Sequence, residues 1–461
     1  MPESILAIDF GTSYFKSALL DSKGMLRCVD RVPTPLIRSG DRSEISPETF
    51  RATVRASIRS LADQSLSGLG EVRAVTFCTQ ANTFLLLDGK DRPLTSLIVW
   101  NDERAAAVAS DPVLASLAKD PQHQRGTGIP RINHHFAFTK LRWLAEHQPD
   151  AYARAQRLCF LGDYFTQWLT GAHVTDGSVA GLSGLFAVED WKWSDEWCGH
   201  TGVTRTWLPE VIRSGTAVGT IRPDAAAELG LPVDCLVTMG ILDQYAGAIG
   251  VGNSQPGGLS ETTGTVLATV RCSRDFPAPV GTDAFSGPAA KAGEYYHMMF
   301  GGVSASLLEY YRQQLPDRPD FDQLDLTAAG SRNQLHLDHR CSPEQLRSIL
   351  RDWAARQSRG EVVSAIYQCV ADALAAQVNA LAGALPVELV RSAGGASRSR
   401  RWLQIKARTL RSPVLAPNTD EPTLLGVASL AAQTLGWDSL VLPETSDVSA
   451  RTLWPNRPAI Q

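Results

Sequence analysis

The sequence predicts an α/β protein that is built from two large domains. Its 461 residues are long for one domain and sufficient for two or three. Short apolar segments typical of strands alternate along the chain with longer segments of helical periodicity. A strand, a Gly-Thr turn and a second strand occur at the start of the chain and again near residue 264. This recurrence suggests that the two halves are related in structure.

The elements of the first half follow one another without long gaps. Three strands separated by tight turns begin at Ile5. Ser46 is a suitable N-cap for the amphipathic helix that follows it, and Gly171 is suited to end a later helix. The remaining segments are, in chain order, strands at EVRAVTFCTQ and TFLLLDGKDRPL, helices at NDERAAAVASD, HHFAFTKLRWLAEHQPDAYARAQ and LGDYFTQWLTG, and a strand-rich run at CLVTMGIL.

A glycine-containing connector, GNSQPGG at residues 252–258, marks the predicted domain boundary. We therefore expect an N-terminal domain at residues 1–251 and a C-terminal domain at residues 252–461. Residues 316–342 are polar and weakly periodic, so surface insertions are expected there. The other segments are strands at LSETTGTVLATVRC, a strand end and helix at GGVSASLLEYYRQQL, a long helix at GEVVSAIYQCVADALAAQVNALAGAL, a strand, glycine turn and helix at VELVRSAGGASRSRRWLQIKARTL, and a helix at EPTLLGVASLAAQTLG.

Composition and charge exclude several classes of function. The net charge of −4 does not indicate nucleic acid or an acidic membrane as a partner. The eight cysteines are scattered without a CxxC pair, which predicts reduced thiols in the cytoplasm rather than a zinc cluster or a disulfide framework. No signal peptide and no membrane span are expected. The segment WKWSDEW is expected to pack a surface subdomain, which could also contact a second subunit in a homodimer.

An acid ends the first strand, and small hydroxyl residues and a lysine follow it. Gly11 permits a tight turn whose amides can face a phosphate. Thr12 and Ser13 add hydroxyl donors, and Lys16 adds a positive charge. A carboxylate would repel phosphate directly, but Asp9 suits Mg²⁺, which prefers carboxylate and phosphate oxygens. We interpret Asp9 as a metal-anchoring acid, with a solvated turn aspartate as the alternative.

A second acid, Asp243, lies where a predicted strand ends and a helix begins in GILDQYAGAIGVG. The positive N-terminus of the helix would keep this carboxylate ionised. An ionised Asp243 can accept the proton of a hydroxyl group that attacks phosphorus, as the base of a kinase must. The alternative is that Asp243 only caps the helix.

Two further glycine turns offer their backbone to a nucleotide. In TTGTV, Gly264 and Thr265 repeat the glycine–hydroxyl pattern and suit the other side of a triphosphate. In SAGGASRSRRWLQ, Gly394 and Gly395 allow a flat ring to approach the backbone, ahead of a helix expected to begin near Ser397. Each pattern also fits an ordinary turn. A GxGxxG pattern is missing after the first strand, which argues against a Rossmann dehydrogenase.

The segment SLIVWNDERAA carries candidate sugar-binding residues. Trp100 could stack on the apolar face of a sugar, while Asp102 and Arg104 could hydrogen-bond its hydroxyl groups. A core position for Trp100 and a solvated helix start for the two charges are the alternatives. The adjacent His134 and His135 are interpreted as surface or loop histidines, because the sequence shows no supporting cysteine or carboxylate cage.

Together these segments resemble the FGGY carbohydrate kinases, within the larger sugar kinase–Hsp70–actin superfamily. The resemblance runs from Ile5 to about Gly436 and rests on the order and spacing of the segments. It implies two ribonuclease-H-like domains of the actin-like ATPase type with a central cleft, with sugar mainly on the first domain and ATP mainly on the second. The matching segments are AIDFGTSYFKSALLD, VWNDERAA, TGIPRI, FTKLRWL, LGDYFTQWLTG, GILDQYAGAIG, TTGTV, GGVSASLLEYY, SAGGASRSRRWLQ and EPTLLGVASLAA.

The resemblance also implies roles for single residues, with Asp9 organising Mg²⁺ and Asp243 acting as the catalytic base. Gln80 matches a glutamine of the xylulose kinases, whereas Ala81 and Asn82 depart from their pattern, and Gln244 follows the base as in glycerol kinases. The expected ATP-binding residues are Gly11, Thr12, Ser13, Lys16, Gly264, Thr265, Gly302, Ser306, Gly394, Gly395 and Ser399. The expected substrate-binding residues are Gln80, Asn82, Trp100, Asp102, Arg104, Asp243 and Gln244.

The activity implied is an ATP- and Mg²⁺-dependent phosphorylation of a hydroxyl group on a small sugar. A ketopentose such as xylulose is the first expectation. Ribulose, a longer ketose and a polyol such as glycerol are alternatives, because the departures in TQAN alter the hydrogen-bond pattern that selects a substrate. A non-catalytic sugar- or nucleotide-binding protein of the same fold is the alternative from another class. The two acids argue against it, because simple binding needs neither a base nor a metal anchor.

Overall fold

The computed structural model describes residues 3–65, 68–117, 119–278, 282–328, 335–417, 419–437 and 451–453. Two seven-stranded sheets, one in each half of the chain, form its frame. A five-stranded sheet and two strand pairs are added in the first half.

The strands of the first half are β1 (Ser4–Phe10), β2 (Tyr14–Asp21), β3 (Leu26–Pro33), β4 (Ile37–Ser39), β5 (Arg42–Ile45), β6 (Val72–Thr79), β7 (Phe84–Leu87), β8 (Leu97–Ile98), β9 (Arg157–Phe160), β10 (Val174–Asp176), β11 (Phe186–Ala187), β12 (Lys192–Trp193), β13 (Glu210–Ile212), β14 (Ala217–Thr220), β15 (Leu236–Thr238) and β16 (Ile241–Leu242). Its α-helices are α1 (Pro47–Gln64), α2 (Pro112–Leu117), α3 (Pro121–Thr127), α4 (Ala137–His147), α5 (Pro149–Arg154), α6 (Leu161–Thr170), α7 (Gly177–Gly181), α8 (Asp195–Gly199), α9 (Pro223–Leu229) and α10 (Asp243–Gly250).

The strands of the second half are β17 (Leu259–Thr263), β18 (Leu267–Ser273), β19 (Phe285–Pro288), β20 (Tyr295–Gly301), β21 (Val390–Ala393), β22 (Val414–Ala416) and β23 (Arg451–Leu453). Its α-helices are α11 (Ser306–Gln314), α12 (Phe321–Thr327), α13 (Pro343–Arg356), α14 (Arg359–Ala382), α15 (Arg400–Leu410) and α16 (Pro422–Thr434). Short 3₁₀ helices cover Arg104–Ser110, Arg205–Trp207 and Gly395–Arg398.

The two large sheets share one strand order. In the first, β1 pairs antiparallel with β2 and parallel with β6, and β3 and β15 continue the sheet outwards. In the second, β17 pairs antiparallel with β18 and parallel with β21, while β20 and β22 take the places of β3 and β15. The repetition of three antiparallel strands followed by two parallel ones confirms the prediction of two related halves.

Helices α10 and α16 lie between the two large sheets. They share one buried apolar cluster with residues of β1 and β2 on one side and of β18 and β20 on the other. The helices approach so closely that a Cβ atom on Gly250 would lie 1.8 Å from the carbonyl oxygen of Pro422. A Cβ atom on Gly426 would lie 1.9 Å from the carbonyl oxygen of Ala246. Only glycine fits at these two positions, and the pair of helices therefore connects the two halves tightly.

Several local predictions are confirmed. Ser46 caps α1 by accepting a hydrogen bond from the Thr49 backbone N–H, 3.2 Å away. Gly171 ends α6 in the left-handed conformation, with φ of 80°. All eight cysteines are free thiols. Across the parts of the chain that the structure describes, no helix combines the length and the apolar character that crossing a membrane requires.

Three local predictions are corrected. The helix predicted at NDERAAAVASD is the 3₁₀ helix Arg104–Ser110, which Pro112 confines by holding the preceding residue extended. The predicted insertion at residues 316–342 contains α12, whose Leu324 is fully buried, while residues 329–334 lie outside the described residues. The helix expected near Ser397 begins at Arg400.

Candidate active site

The two predicted acids lie at one edge of the first large sheet. Strands β1 and β16 both pair in parallel with β6, and Cys78 of β6 is the register partner of Asp9 on one side and of Ile241 on the other. Asp9 lies near the end of β1, and Asp243 directly follows β16. Because the carboxyl ends of parallel strands meet at one edge of a sheet, the two carboxylates are neighbours. The negative charge of Asp9 accordingly helps to raise the pKa of Asp243.

Asp9 is only 6% exposed, and burial raises the pKa of its carboxyl group although Lys16 acts in the opposite direction. Thr423 donates a hydrogen bond from its hydroxyl to Oδ2 of Asp9 over 3.0 Å. The other oxygen, Oδ1, is buried and makes no hydrogen bond. Buried polar atoms without a partner are uncommon, and an unpaired carboxylate oxygen is the ligand type that Mg²⁺ takes. The residues present therefore fit a magnesium ion at Asp9.

Asp243 is the first residue of α10, and its Oδ1 accepts a hydrogen bond from the Gln244 backbone N–H over 2.6 Å. Burial raises the pKa of Asp243 to about 7, the charge of Asp9 acts in the same direction, and the Gln244 N–H opposes both. The prediction that the helix N-terminus keeps this carboxylate ionised is therefore wrong in direction. Burial outweighs the helix, and Asp243 titrates close to neutral pH.

The last described helix brings two further residues to this edge. The ammonium group of Lys16, which is the register partner of Asp9 on β2, lies 2.5 Å from the Glu421 carboxylate. Glu421 and Thr423 stand at the start of α16, some four hundred positions along the chain from their partners. Sequence reasoning missed both residues. Their only signal was their place at the start of the segment EPTLLGVASLAA.

The first glycine turn is linked to the predicted sugar-binding residues by a chain of hydrogen bonds. The Trp100 indole N–H donates to Oγ1 of Thr12 over 2.8 Å, and the Thr12 hydroxyl donates to Oε1 of Gln80 over 3.3 Å. Gln80 in turn donates its amide to the Phe10 carbonyl oxygen over 3.4 Å. Trp100 is 37% exposed, so the alternative of a core tryptophan does not hold. These residues form one polar wall beside Asp9.

A buried lysine that the sequence did not single out holds the loops of this wall. Lys140 donates to the carbonyl oxygens of Asn82, Val99 and Trp100 over 3.1, 2.8 and 3.1 Å. Burial lowers the pKa of Lys140 to about 7. Asn82 itself is left-handed, with φ of 60°, and its side-chain oxygen accepts a hydrogen bond from the Ala137 N–H over 2.9 Å. The Asn82 loop and the Trp100 loop are thereby fixed relative to each other.

Asp102 and Arg104 lie behind the wall rather than on it. Asp102 is 0% exposed, and its oxygens accept hydrogen bonds from Arg104 and from the Ser43 backbone N–H. The guanidinium group of Arg104 also contacts the Glu44 carboxylate. The sequence predicted that both side chains bind sugar hydroxyl groups, whereas their polar atoms are engaged within the protein. This ion pair supports the Trp100 loop from behind.

Glu103 points the other way, towards the two histidines. Its carboxylate faces both His134 and His135, and the His135 ring meets the indole of Trp100 edge to face at 5.7 Å between centroids. Both histidines lie in a loop and are partly exposed, as predicted. The carboxylate beside them was not predicted.

The glycine turns of the second half lie at the equivalent edge of the second sheet. Strands β17 and β21 are parallel neighbours, so Gly264, which follows β17, and Gly394, which follows β21, adjoin each other. Gly394 has a φ of 83°, and a Cβ atom there would lie 2.7 Å from the Thr263 carbonyl oxygen. A Cβ atom on Gly264 or Gly395 would meet nothing within 4 Å. The turns thus leave open space beside their backbone.

The remaining predicted ATP-binding residues surround these turns. The Ser304 hydroxyl donates to the Thr265 carbonyl oxygen over 2.7 Å and lies 2.9 Å from the Ser306 hydroxyl. Gly302 directly follows β20. Ser399 caps α15 by accepting a hydrogen bond from the Trp402 N–H over 3.0 Å. Ser13 is exposed beside Gly11 in the first turn.

A buried ion pair, missed from the sequence, supports the turns from below. The Lys406 ammonium group lies 2.5 Å from the Glu261 carboxylate and donates to the Thr263 hydroxyl over 3.0 Å. Ser392 donates to the same carboxylate. The pair therefore ties β17, β21 and α15 together directly beneath the two glycine turns.

The two large sheets with one repeated strand order give the chain an actin-like ATPase fold, and the two acids lie at the edge of the first sheet. Models of the FGGY family of carbohydrate kinases match most of the chain, the N-terminal domain at residues 4–250 and the C-terminal domain at residues 263–435. The chain belongs to the FGGY family of carbohydrate kinases, which transfer phosphate from ATP to a hydroxyl group of a sugar or polyol.

The named relatives of the chain are kinases of different substrates. The chain is 25% identical to a xylulose kinase of Bacillus subtilis, over 94% of this chain and 88% of the relative. It is 28% identical to a glycerol kinase of Bordetella parapertussis, over 99% of this chain and 94% of the relative. The fold is similar to that of a xylulose kinase from Lactobacillus acidophilus (TM-score 0.84, 21% identity, 98% and 94% of the two chains). It is also similar to that of a gluconate kinase from the same organism (TM-score 0.83, 22% identity, 99% and 94%).

Proposed function

We propose that this kinase phosphorylates a terminal hydroxyl group of a small neutral sugar, with a ketopentose such as xylulose as the first candidate. The observation that carries the proposal is the pair of neighbouring carboxylates, the buried Asp9 and the half-buried Asp243, at the strand edge beside the Gln80–Trp100 wall. Asp243, with a pKa of about 7, accepts the proton of the attacking hydroxyl group. That oxygen then forms a bond to the γ-phosphorus of ATP as the bond to the leaving ADP oxygen breaks.

Asp9 is the residue that would hold Mg²⁺ through its unpaired Oδ1 atom. When bound, the ion neutralises phosphate charge. Lys16 and the amides and hydroxyls of Gly11, Thr12 and Ser13 would contact the phosphates from the side of the first half. Because Glu421 contacts Lys16, it also sets where that ammonium group points.

The second half would bind the rest of ATP. We assign the phosphates to the turn at Gly264 and Thr265 and to Gly302 and Ser306. We assign the adenosine to Gly394, Gly395 and Ser399. Support comes from the open space beside Gly264 and Gly395 and from the buried ion pair that holds both turns.

The charges around the wall favour a neutral substrate over a sugar acid. Asp9, Asp243 and Glu103 are acidic, and the nearby cations Lys16 and Arg104 are each engaged by carboxylates. Lys140 is buried, and three carbonyl oxygens engage its ammonium group. A substrate carboxylate entering here would therefore meet unfavourable charge. Gln80, Asn82, Trp100 and Gln244 are the residues that we assign to a neutral sugar or polyol. Ribulose, a longer ketose and glycerol remain the alternatives to xylulose.

The test is a coupled ADP-release assay with ATP·Mg²⁺ and a panel of xylulose, ribulose, fructose, glycerol and gluconate. Asp243→Asn is assayed beside the wild type, with Asp234→Asn as the matched control, because Asp234 is an exposed aspartate of the β14–β15 connection. We expect one neutral substrate to give strong turnover that only Asp243→Asn abolishes. Turnover that survives in Asp243→Asn would show that another group is the base.

Preference for gluconate would contradict the argument from charge. ATP binding by calorimetry without turnover on any substrate would favour the alternative of a binding protein with this fold. The homodimer, the cytoplasmic location and the domain boundary at residues 251–252 stay predictions.

A further inference from the structure

Among the residues that the structure describes, Glu103, His134 and His135 bring three potential metal ligands together beside the sugar-binding wall. Their ligand atoms all lie within 4.8 Å of one another. Nε2 of His134 is 2.6 Å from Oε2 of Glu103, and Nε2 of His135 is 3.2 Å from Oε1 of the same carboxylate. Each imidazole thus faces its own oxygen of one carboxylate.

The local backbone explains why two adjacent side chains converge. In a strand, consecutive side chains point to opposite faces, but residues 134–135 form a turn before α4. Both rings therefore lie on one side, with centroids 4.1 Å apart and planes inclined at 58°. Two imidazoles and one carboxylate are a donor set suited to Zn²⁺ and similar transition metals. Mg²⁺ prefers oxygen ligands, so this set differs in kind from the site at Asp9.

The surroundings of His134 favour a shared ligand at this place. Nε2 of His134 is buried against Oε2 of Glu103, and the described residues give it no other hydrogen-bond partner. A metal ion between the imidazole and the carboxylate would bind both through the atoms that already face each other. Glu103 is 53% exposed, so an ion could enter from solvent without a change of the surrounding structure.

We propose that Glu103, His134 and His135 bind a divalent transition metal ion, with Zn²⁺ as the ion of first choice and water in the fourth position. The site adjoins substrate binding through His135, whose ring contacts the Trp100 indole that bonds to Thr12. We therefore expect occupation of the site to change the KM for the sugar. Metal binding itself does not rest on the proposed function, whereas this effect on KM does.

The first experiment measures Zn²⁺ binding to the metal-free full-length protein by calorimetry, without sugar, ATP or Mg²⁺. We expect one saturable Zn²⁺ site. His134→Ala and Glu103→Gln should each weaken Zn²⁺ binding by more than roughly tenfold, the loss usual for a residue that only hydrogen-bonds to a metal ligand. His339→Ala, which removes a partly exposed histidine outside the cluster, is the matched control and leaves the affinity unchanged. Absence of saturable binding, or equal affinity in His134→Ala and the wild type, would overturn the proposal.

Co²⁺ as a spectroscopic probe identifies the ligands. Nitrogen and oxygen ligands give visible d–d bands without the intense near-ultraviolet band of a cobalt–thiolate bond. A thiolate band that persists in His134→Ala would assign the metal to a cysteine and overturn the proposal.

Kinetics then tests the link to the sugar. At fixed ATP·Mg²⁺, Zn²⁺ should change the KM for the sugar in the wild type and leave it unchanged in His134→Ala. Because binding is measured without substrate, loss of the binding result and loss of the proposed kinase substrate are distinguishable.

Discussion

At the scale of single residues, the proposed roles of the neighbouring carboxylates Asp9 and Asp243 predict how the activity responds to pH. Burial raises the pKa values of both carboxyl groups, and no nearby cation cancels this effect, because the Lys16 ammonium group also contacts the Glu421 carboxylate. Asp243 is therefore half protonated near pH 7. A base that titrates near the working pH accepts protons efficiently.

We expect kcat/KM for the sugar to fall as the pH decreases through about 7, because only the deprotonated form of Asp243 is a base and its pKa is about 7. The pH dependence of kcat/KM reports the free enzyme. A profile from pH 5.5 to 9 measures it, with ATP binding followed by calorimetry at the same pH values as the control. A profile that stays flat down to pH 5.5 would place the pKa near the ordinary aspartate value and contradict the expectation.

We expect Asp243→Asn to lower kcat by about 10²–10⁴-fold, the usual contribution of a general base. The asparagine side-chain oxygen can still accept the Gln244 N–H bond, so folding should be preserved. Steady-state rates and the midpoint of thermal unfolding test both parts. A variant with an unchanged midpoint and an unchanged rate would remove Asp243 from the mechanism.

Sequence reasoning located the two acids but not their partners. Asp9 and Asp243 follow short apolar runs, and this pattern is local. Glu421 and Thr423 reach the same site only through the packing of α16 between the sheets. No local pattern encodes a contact over such a separation. The buried position of Lys140 could not be predicted from the sequence either, because a lysine in an amphipathic helix usually faces solvent.

At the scale of elements, length and capping separate the correct predictions from the wrong ones. Helix α1 has a serine cap and apolar residues at helical spacing over eighteen positions. These local signals for a helix are strong, so the segment was predicted correctly without knowledge of its tertiary contacts. The run after Glu103 is rich in alanine but has no side-chain cap, and it ends before Pro112. The seven residues between these limits form a 3₁₀ helix instead of an α-helix, although 3₁₀ helices of this length are uncommon.

Helix α6 carries a pH-dependent cap. The Asp163 carboxylate accepts a hydrogen bond from the Phe160 backbone N–H over 2.9 Å, and burial raises the pKa of Asp163 to about 8. Between about pH 4 and 8 the folded protein holds a proton at Asp163 that the unfolded chain has released. Stability therefore decreases as the pH rises through this range.

We expect Asp163→Asn to gain stability relative to the wild type between pH 5 and pH 8, by at least about 1 kcal/mol, since one pKa unit corresponds to about 1.4 kcal/mol. Thermal unfolding midpoints at both pH values measure the change. Asp234→Asn, at an exposed aspartate, should show no such difference. Parallel curves for Asp163→Asn and the wild type would contradict the assigned pKa.

At the scale of the whole molecule, the contact between α10 and α16 holds the two halves together and positions the site. Asp243 begins α10, and Glu421 and Thr423 stand at the start of α16. The distance between these helices is set by Gly250 and Gly426, where each helix touches the backbone of the other. A change of that distance would therefore move Asp243, the proposed base, relative to the groups around Asp9.

We expect Gly250→Ala to lower the free energy of unfolding by about 3 kcal/mol or more, because its Cβ atom would collide with the rigid Pro422 carbonyl group. Gly247→Ala is the matched control on the same helix, since its Cβ atom would meet only the Thr423 methyl group at 3.6 Å. The control should stay within about 1 kcal/mol of the wild type, helped by the helix propensity of alanine. Equal thermal midpoints for the two variants would show that the helices can separate freely.

The bond from Thr423 to Asp9 spans 414 positions of the chain. A ribosome that has released the first sheet has made Asp9, Lys16 and Asp243 but not yet the hydroxyl and carboxylate groups that complete their surroundings. An unfinished chain thus carries the two proposed catalytic acids in an unassembled site. The surroundings of Asp9 and Lys16 are complete only after α16 has been synthesised and has docked between the two sheets.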